Sequence, residues 1–364
     1  MKKIVLLLIV ILSGLQPMVA INLPAEIYSQ NFNFAQDSQT QIDEKDLVLL
    51  ETAATIAKAA PKVSKIWKGF WNRNQAFILL RPKERALLFS TVVPPPEYLP
   101  VKTTRIPKNL QARIYFHREY PLITGNGDTA YQVGDIYAPA LEPQLAKVPG
   151  SKEYRRLNYL YHEWFHGFQN RQFAKIPREP ETFFKKPAVN PTQISAPDFI
   201  PMAELERRIL STAIDISSRK EAGEILRQYL AVRWTRNHHL PDVVAMERKM
   251  ERTERSALLV GSEAAAIAVG ADRKEIELSI KKYLNDPLNS YPALPETDAQ
   301  LMRWRLYGTG GAIGFLLDRL KVKNWREKLQ KGSAHLDEML IEAVGFEEQD
   351  APSLKEKAFR QFIL

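Results

Sequence analysis

The sequence predicts an α+β protein, with a small mixed β-sheet in its N-terminal region followed by a mostly α-helical lobe. Before residue 150, short runs rich in β-branched and aromatic residues alternate with turn residues. After residue 151, apolar residues recur at the three- and four-residue spacing of amphipathic helices. Strand-like runs followed by helical runs are typical of the α+β class. A chain of 364 residues, 45% of them hydrophobic, is long enough to bury a core.

The N-terminus has the pattern of an export signal. Two lysines precede the uninterrupted apolar run 4–12, and Ala20 stands at a plausible cleavage position. We therefore expect a signal peptide at 1–20, a polar tether at 21–45, and a periplasmic or secreted protein with no stable membrane insertion once the signal is removed. The alternative is an uncleaved N-terminal segment that tethers the protein to the membrane.

The region 46–150 is predicted to combine one helix with several strands. A helix is expected from Asp46 to Val63, because this Ala- and Leu-rich stretch contains no Gly or Pro before Pro61. Charged and turn residues separate the apolar runs that follow, and Gly125–Asp128 is predicted to be a loop. Strands are expected at 75–80, 86–93, 112–117 and 131–137.

From residue 151 onward the sequence predicts helices. Ser151 is a suitable N-cap for a helix of about six turns that ends before Pro177. A proline-rich connector is expected from Pro177 to Pro201. Further helices are expected at 202–217, 219–236, 242–269 and 301–320, with a small terminal bundle after 325.

Charge and cysteine content narrow the possible partners and metal ligands. The formal net charge is +9, but the basic residues are interspersed with acidic ones, which argues against a nucleic-acid partner. The chain has no cysteine, so disulfides and thiolate ligands are excluded. Any bound metal must be held by histidines and carboxylates. No feature of the sequence predicts an oligomeric state.

The motif His-Glu-x-x-His occurs in the middle of the helix that follows Ser151. Residues four apart lie on one helical face, so His162 and His166 can both reach one Zn²⁺ ion. Glu163 is rotated by about 100° from His162, which leaves its carboxylate free to take a proton from water at the open metal position. The motif therefore predicts a Zn²⁺ site with a general base; two surface histidines are the alternative interpretation.

A third ligand must come from elsewhere in the chain. No histidine lies between Gly167 and Pro177, so the extended three-histidine motif is absent. A His₂Glu zinc site needs a distant carboxylate. Glu247, Glu251 and Glu254 are spaced to share one face of the predicted helix 242–269, and periodicity does not choose among them.

Two further segments resemble gluzincin metallopeptidases. The segment ERTERSA at 251–257 resembles the helix that carries the glutamate ligand in that group, which implies that Glu254 is the third metal ligand. It departs from the pattern at Arg255, where glycine is usual. The segment YGTGGAIGFLLD at 307–318 looks like the Tyr-x-x-Gly segment of the aminopeptidase N and glycyl aminopeptidase group, which implies that Tyr307 hydrogen-bonds the oxyanion of the reaction intermediate. The alternative is that its glycines only allow close helix packing.

The resemblance implies a zincin-like catalytic region at 151–320. The helical patterning beyond it predicts a C-terminal helical segment at 321–364. The resemblance also implies a zinc-dependent hydrolase of peptide bonds, acting on a peptide or protein substrate. The Gly-Ala-Met-Glu-Asn element that binds a free amino terminus in the aminopeptidase N family is missing, so exopeptidase activity is not predicted. The alternatives are an inactive binding or scaffold protein with this fold, and a zinc hydrolase of a non-peptide amide or ester.

Overall fold

The computed structural model describes residues 42–81, 85–96, 98–101, 105, 107, 110, 112–117, 130–133, 136–175, 199–238, 240–285 and 298–363. The predicted signal peptide, most of the predicted tether, the predicted loop at 125–128 and most of the predicted connector lie outside these residues. No helix within them is both long enough and apolar enough to cross a bilayer.

A six-stranded mixed β-sheet is built from strands that lie between residues 77 and 141. Its strand order is β3-β4-β2-β1-β6-β5. The β1 and β6 strands run parallel, whereas the other neighbouring pairs are antiparallel. The strands are β1 (Phe77–Arg81), β2 (Arg85–Ser90), β3 (Tyr98–Pro100), β4 (Arg113–His117), β5 (Ala130–Val133) and β6 (Ile136–Leu141).

The prediction of one strand at 131–137 is wrong. The structure has two antiparallel strands there, β5 and β6, and Val133 pairs with Ile136. In the sequence these two residues are separated only by Gly134 and Asp135. A Gly-Asp pair between two apolar runs is a signal for a two-residue hairpin, so the sequence does contain an indication of this turn.

Helix α1 (Glu44–Val63) begins two residues earlier than predicted, so the end of the predicted tether belongs to it. Asp43 and Asp46 form a capping box in which each side chain accepts a hydrogen bond from the other's backbone N–H. The buried Asp46 carboxylate also accepts hydrogen bonds from Arg81 and Arg85, each at 2.6 Å. These ion pairs attach the start of α1 to strands β1 and β2.

From residue 152 onward the described chain is mostly helical, which confirms the predicted order of a mixed sheet followed by a helical lobe. The helix at 273–285 was not predicted, and the helix expected from 202 begins three residues earlier, with Pro201 near its start where a missing N–H is tolerated. The helices are α2 (Lys152–Gln172), α3 (Phe199–Asp215), α4 (Arg219–Asn237), α5 (Pro241–Met250), α6 (Ser256–Val269), α7 (Arg273–Asn285), α8 (Asp298–Arg319), α9 (Trp325–Lys331), α10 (Leu336–Val344) and α11 (Ala351–Phe362).

The predicted continuous helix at 242–269 is interrupted. One turn of π-helix, Glu251–Arg255, separates α5 from α6, and we call it the π-turn. A π-turn contains an extra residue relative to an α-helical turn, so it changes which way the preceding side chains point. Sequence periodicity at 3.6 residues per turn gave no sign of this change of phase.

Helix α2 lies between an aromatic core and helix α6. On one side, Trp164 packs against Trp71 at 5.1 Å and against Phe77 of strand β1 at 5.7 Å between ring centroids. On the other side, Gly261 of α6 approaches so closely that a Cβ atom there would lie 2.7 Å from the Asn158 carbonyl oxygen and 3.1 Å from the His162 Cβ. The close approach fixes the distance between α2 and the segment that follows the π-turn.

Candidate metal centre

The two histidines of the motif lie one turn apart on α2, as predicted. Ser151 caps this helix by accepting a hydrogen bond from the Tyr154 backbone N–H. The Nε2 atoms of His162 and His166 are 3.0 Å apart, and their rings meet edge to face with an interplanar angle of 88°. Their side chains are 15% and 20% exposed, so the pair is accessible but largely enclosed.

Glu254 is the carboxylate that meets them. One of its oxygens, Oε2, is 3.3 Å from His166 Nε2 and 4.0 Å from His162 Nε2. The π-turn carries Glu254, and α2 carries the histidines. The resemblance of segment 251–257 to the gluzincin helix also implies this residue as the third ligand.

The three side chains fit a zinc ion. Zinc lies about 2.0–2.2 Å from nitrogen and oxygen ligands in tetrahedral geometry, which puts neighbouring ligand atoms about 3.3–3.5 Å apart. The observed separations of 3.0, 3.3 and 4.0 Å bracket this value. Two imidazoles and one carboxylate are also the donor set of one class of catalytic zinc site, His₂Glu. Among the described residues, no other group of three His, Asp or Glu side chains converges in this way.

Burial, the neighbouring ring and the Glu254 carboxylate together set the protonation of the histidine pair when no metal is bound. Burial disfavours the charged form of both rings. Burial and the neighbouring His166 together lower the pKa of His162 to about 3. For His166 the nearby carboxylate of Glu254 outweighs burial and raises the pKa to about 9. In the metal-free protein His166 therefore holds a proton between the other two side chains, in the position where a cation would be favoured.

The other two candidate ligands, Glu247 and Glu251, are engaged away from the histidines. The Glu251 carboxylate accepts hydrogen bonds from Arg233 at 2.5 and 3.1 Å, and Glu247 lies 2.9 Å from Arg236. Both carboxylates are fully buried among arginines. A regular α-helix would have placed all three glutamates on one face. Because of the π-turn, Glu254 points towards the histidines, whereas Glu247 and Glu251 point towards the arginines.

Glu163 lies on α2 next to His162 and acts electrostatically on two tyrosines. Burial, and then the negative charge of Glu163, raise the pKa of both Tyr159 and Tyr283. Neither tyrosine is among the site residues predicted from the sequence. Tyr159 precedes Glu163 by one helical turn and was open to prediction, whereas Tyr283 belongs to α7, a helix that was not predicted.

The glycines of segment 307–318 allow close packing. A Cβ atom at Gly308 would lie 2.3 Å from the Leu284 Cα, and one at Gly310 would lie 2.4 Å from the Arg255 Cδ. Arg255, which stands where the gluzincin pattern has glycine, therefore packs against Gly310, where a larger residue would not fit. Tyr307 belongs to α8 by its backbone, but its side chain lies outside the described part, so its oxyanion role stays a prediction.

The candidate centre unites side chains from distant parts of the chain. Glu254 follows His166 by 88 residues and reaches it only through the packing of α6 on α2. What the site does must be inferred from its own chemistry. Comparisons with protein-family models, with curated proteins and with solved structures give no match to this chain.

Proposed function

We propose that this chain is a zinc metallopeptidase of the gluzincin kind that hydrolyses peptide bonds. The observation that carries the proposal is the convergence of His162, His166 and Glu254, whose candidate ligand atoms all lie within 4.8 Å of one another. The order of the segments along the chain, His-Glu-x-x-His, then a glutamate, then a Tyr-x-x-Gly-like segment, supports the gluzincin assignment.

Each side chain has a distinct role in the proposed reaction. His162, His166 and Glu254 hold the metal. A zinc ion held there would polarise the carbonyl under attack and would lower the pKa of a bound water towards about 7. Glu163 is the general base: it follows His162 on α2, outside the ligand set, and accepts the proton of the attacking water. Tyr307 is the proposed donor to the oxyanion.

The arrangement of the fold also supports a zincin-like catalytic region. The mixed sheet precedes α2, the aromatic face of α2 packs towards that sheet, and its histidine side faces the π-turn. The helix carrying the histidines is therefore fixed on both sides. Export to the periplasm or beyond is part of the same proposal; it derives from the N-terminal sequence, which lies outside the described residues.

Metal analysis combined with a peptide-cleavage assay tests this function. The purified full-length chain should retain about one zinc per chain after dialysis. It should cleave a mixed peptide library, lose that activity with a zinc chelator, and regain it when zinc is restored. A protein that binds no zinc would contradict the proposal. Zinc binding with cleavage of an ester or non-peptide amide only would favour the non-peptide alternative, and zinc binding without hydrolysis would favour a scaffold.

A further inference from the structure

Gln169 lies between the two segments that supply the candidate metal ligands. It follows His166 by three residues on α2, and its side chain is only 5% exposed. Neither the His-Glu-x-x-His motif nor the gluzincin resemblance includes this position. Its amide contacts both α2 and the π-turn.

The nitrogen of the Gln169 amide faces the π-turn. Nε2 donates to the backbone carbonyls of Thr253 at 2.8 Å and Arg252 at 3.1 Å, and to Ser256 Oγ at 2.8 Å. Carbonyl oxygens only accept hydrogen bonds, so these contacts fix which end of the amide points to the π-turn. A π-turn shifts carbonyls out of the regular α-helical pattern, and a buried carbonyl without a donor is costly. The amide supplies such a donor.

The oxygen of the same amide faces His166. Gln169 Oε1 is 2.9 Å from His166 Nδ1 and can only accept a hydrogen bond there, so Nδ1 carries a proton both in the metal-free protein and when Nε2 binds a metal. A histidine that donates through one ring nitrogen offers the other to a metal, and such a partner also fixes the ring orientation. Gln169 therefore directs His166 Nε2 towards Glu254.

We propose that Gln169 is a positioning residue that holds His166 and the π-turn in the relative arrangement that binds zinc. One amide determines both the free nitrogen of His166 and the position of the backbone from which Glu254 extends. Ser256 shares this role, because its hydroxyl accepts from Gln169 and donates to the Arg252 carbonyl at 2.6 Å. This role rests on the proposed function, since it concerns the same metal site.

The test compares the zinc dissociation constants of two glutamine-to-methionine variants, measured by competition with a chromophoric chelator. Gln169→Met keeps the length of the side chain but removes both hydrogen-bonding ends. Gln228→Met is the matched control: Gln228 is also buried, donates to Gln361 at 3.2 Å, and lies on α4. Both variants should lower the melting temperature of the metal-free protein. Only Gln169→Met should weaken zinc binding, by about 10- to 100-fold as is usual for outer-sphere partners of metal ligands.

Gln169→Glu separates the two contacts and serves if the methionine variant does not fold. The carboxylate still accepts from His166 Nδ1 but cannot donate to the carbonyls of the π-turn. Its zinc affinity should fall below that of the wild type. Equal zinc affinity of the wild type and either Gln169 variant would overturn this role and leave the proposed function intact. A wild-type protein that binds no zinc would overturn both.

Discussion

The π-turn carries two glutamates with different surroundings. Glu254 faces the histidines of α2 and is 19% exposed, whereas Glu251 is fully buried against Arg233 on α4. A regular α-helix would place residues three apart on one face. Because the turn contains an extra residue, the Glu254 carboxylate points to the candidate metal centre and the Glu251 carboxylate points to a network of ion pairs. The members of this ion-pair network are Glu206, Arg233, Arg236, Glu247, Glu251 and Arg255.

The partners of the two carboxylates account for their different roles. A neutral imidazole has a nitrogen lone pair and can share a metal with a carboxylate, but a guanidinium has no acceptor and is always charged. A cation is therefore favoured beside Glu254 and repelled from the surroundings of Glu251. Residue type and helical position alone do not distinguish a ligand from a structural ion pair; the chemistry of the facing helix does.

Replacing the proposed base should have the largest effect on activity. Glu163→Gln retains the size of the side chain but cannot take a proton, so turnover should fall by about 10²- to 10⁴-fold. Because Glu163 is not a ligand, zinc content should stay at the wild-type level. Peptide-cleavage rates and metal analysis on the same preparation measure both. Wild-type turnover in this variant would show that Glu163 is not the general base.

Substituting each glutamate of the π-turn separates the ligand from the ion pair. Glu254→Gln should weaken zinc binding by more than about 100-fold, because losing a ligand exceeds the effect of losing an outer-sphere partner. Glu251→Gln should bind zinc much more tightly than Glu254→Gln. Competition with a chelator measures both constants. The opposite ranking would mean that the turn presents Glu251 to the metal.

The same two variants should rank in reverse for stability. Glu251→Gln leaves the buried Arg233 without its full counter-charge, and breaking a buried pair typically costs about 3–5 kcal/mol of unfolding free energy. Glu254→Gln, at a partly exposed position, should cost less in the metal-free protein. Urea unfolding of the metal-free variants measures the difference. An unchanged unfolding free energy for Glu251→Gln would contradict a stabilising role of the Glu251–Arg233 ion pair.

A substitution at Gly310, which packs against Arg255 of the ion-pair network, should have a smaller effect on stability. A second glycine, Gly223, provides the control. Gly310→Ala would place a Cβ atom 2.4 Å from the Arg255 Cδ, so we expect a loss of about 1–3 kcal/mol in unfolding free energy. Gly223→Ala on α4 meets only Val344 Cγ1 at 3.9 Å and should stabilise the protein by about 0.5–1 kcal/mol. Thermal and urea unfolding check the pair. Equal effects at both sites would rule out close packing of Arg255 on Gly310.

The histidine pair should give metal-free stability a pH dependence that zinc removes. His166 has a pKa raised from 6.5 to about 9, so its contribution is full below about pH 6.5 and lost as pH rises towards 9. His162 has a pKa lowered to about 3, so its contribution is present above about pH 6.5 and lost as pH falls towards 3. Glu254→Gln removes the main cause of the raised pKa of His166. Between about pH 6.5 and about pH 9.5, the unfolding free energy of this variant, measured by urea titration, should therefore fall less than that of the wild type. Equal losses in the two proteins would show that Glu254 does not raise the pKa of His166.

Local features of the site were predictable from sequence, and features that depend on helix phase were not. The periodicity after Ser151 predicted α2 and placed His162 and His166 on one face, because cap and motif lie within a single helix. Periodicity alone left Glu247, Glu251 and Glu254 equivalent, since it assumes a regular helix; only the resemblance pointed to Glu254.

Features that depend on contacts between distant elements were also missed. Gln169 has an ordinary position on α2, and its role becomes visible only when the carbonyls of the π-turn lie beside it. Tyr283 was missed with the whole of α7. The fit of Gly310 to Arg255 could not be inferred either, because nothing in the sequence pairs those two positions.

Anomalous diffraction from crystals of the protein soaked in zinc would test the central claim most directly. The account predicts one peak about 2.0–2.2 Å from His162 Nε2, His166 Nε2 and an oxygen of Glu254, with Glu251 still bound to Arg233. A zinc ion held by Glu251 or Glu247 would contradict it, as would the absence of any peak between the two histidines.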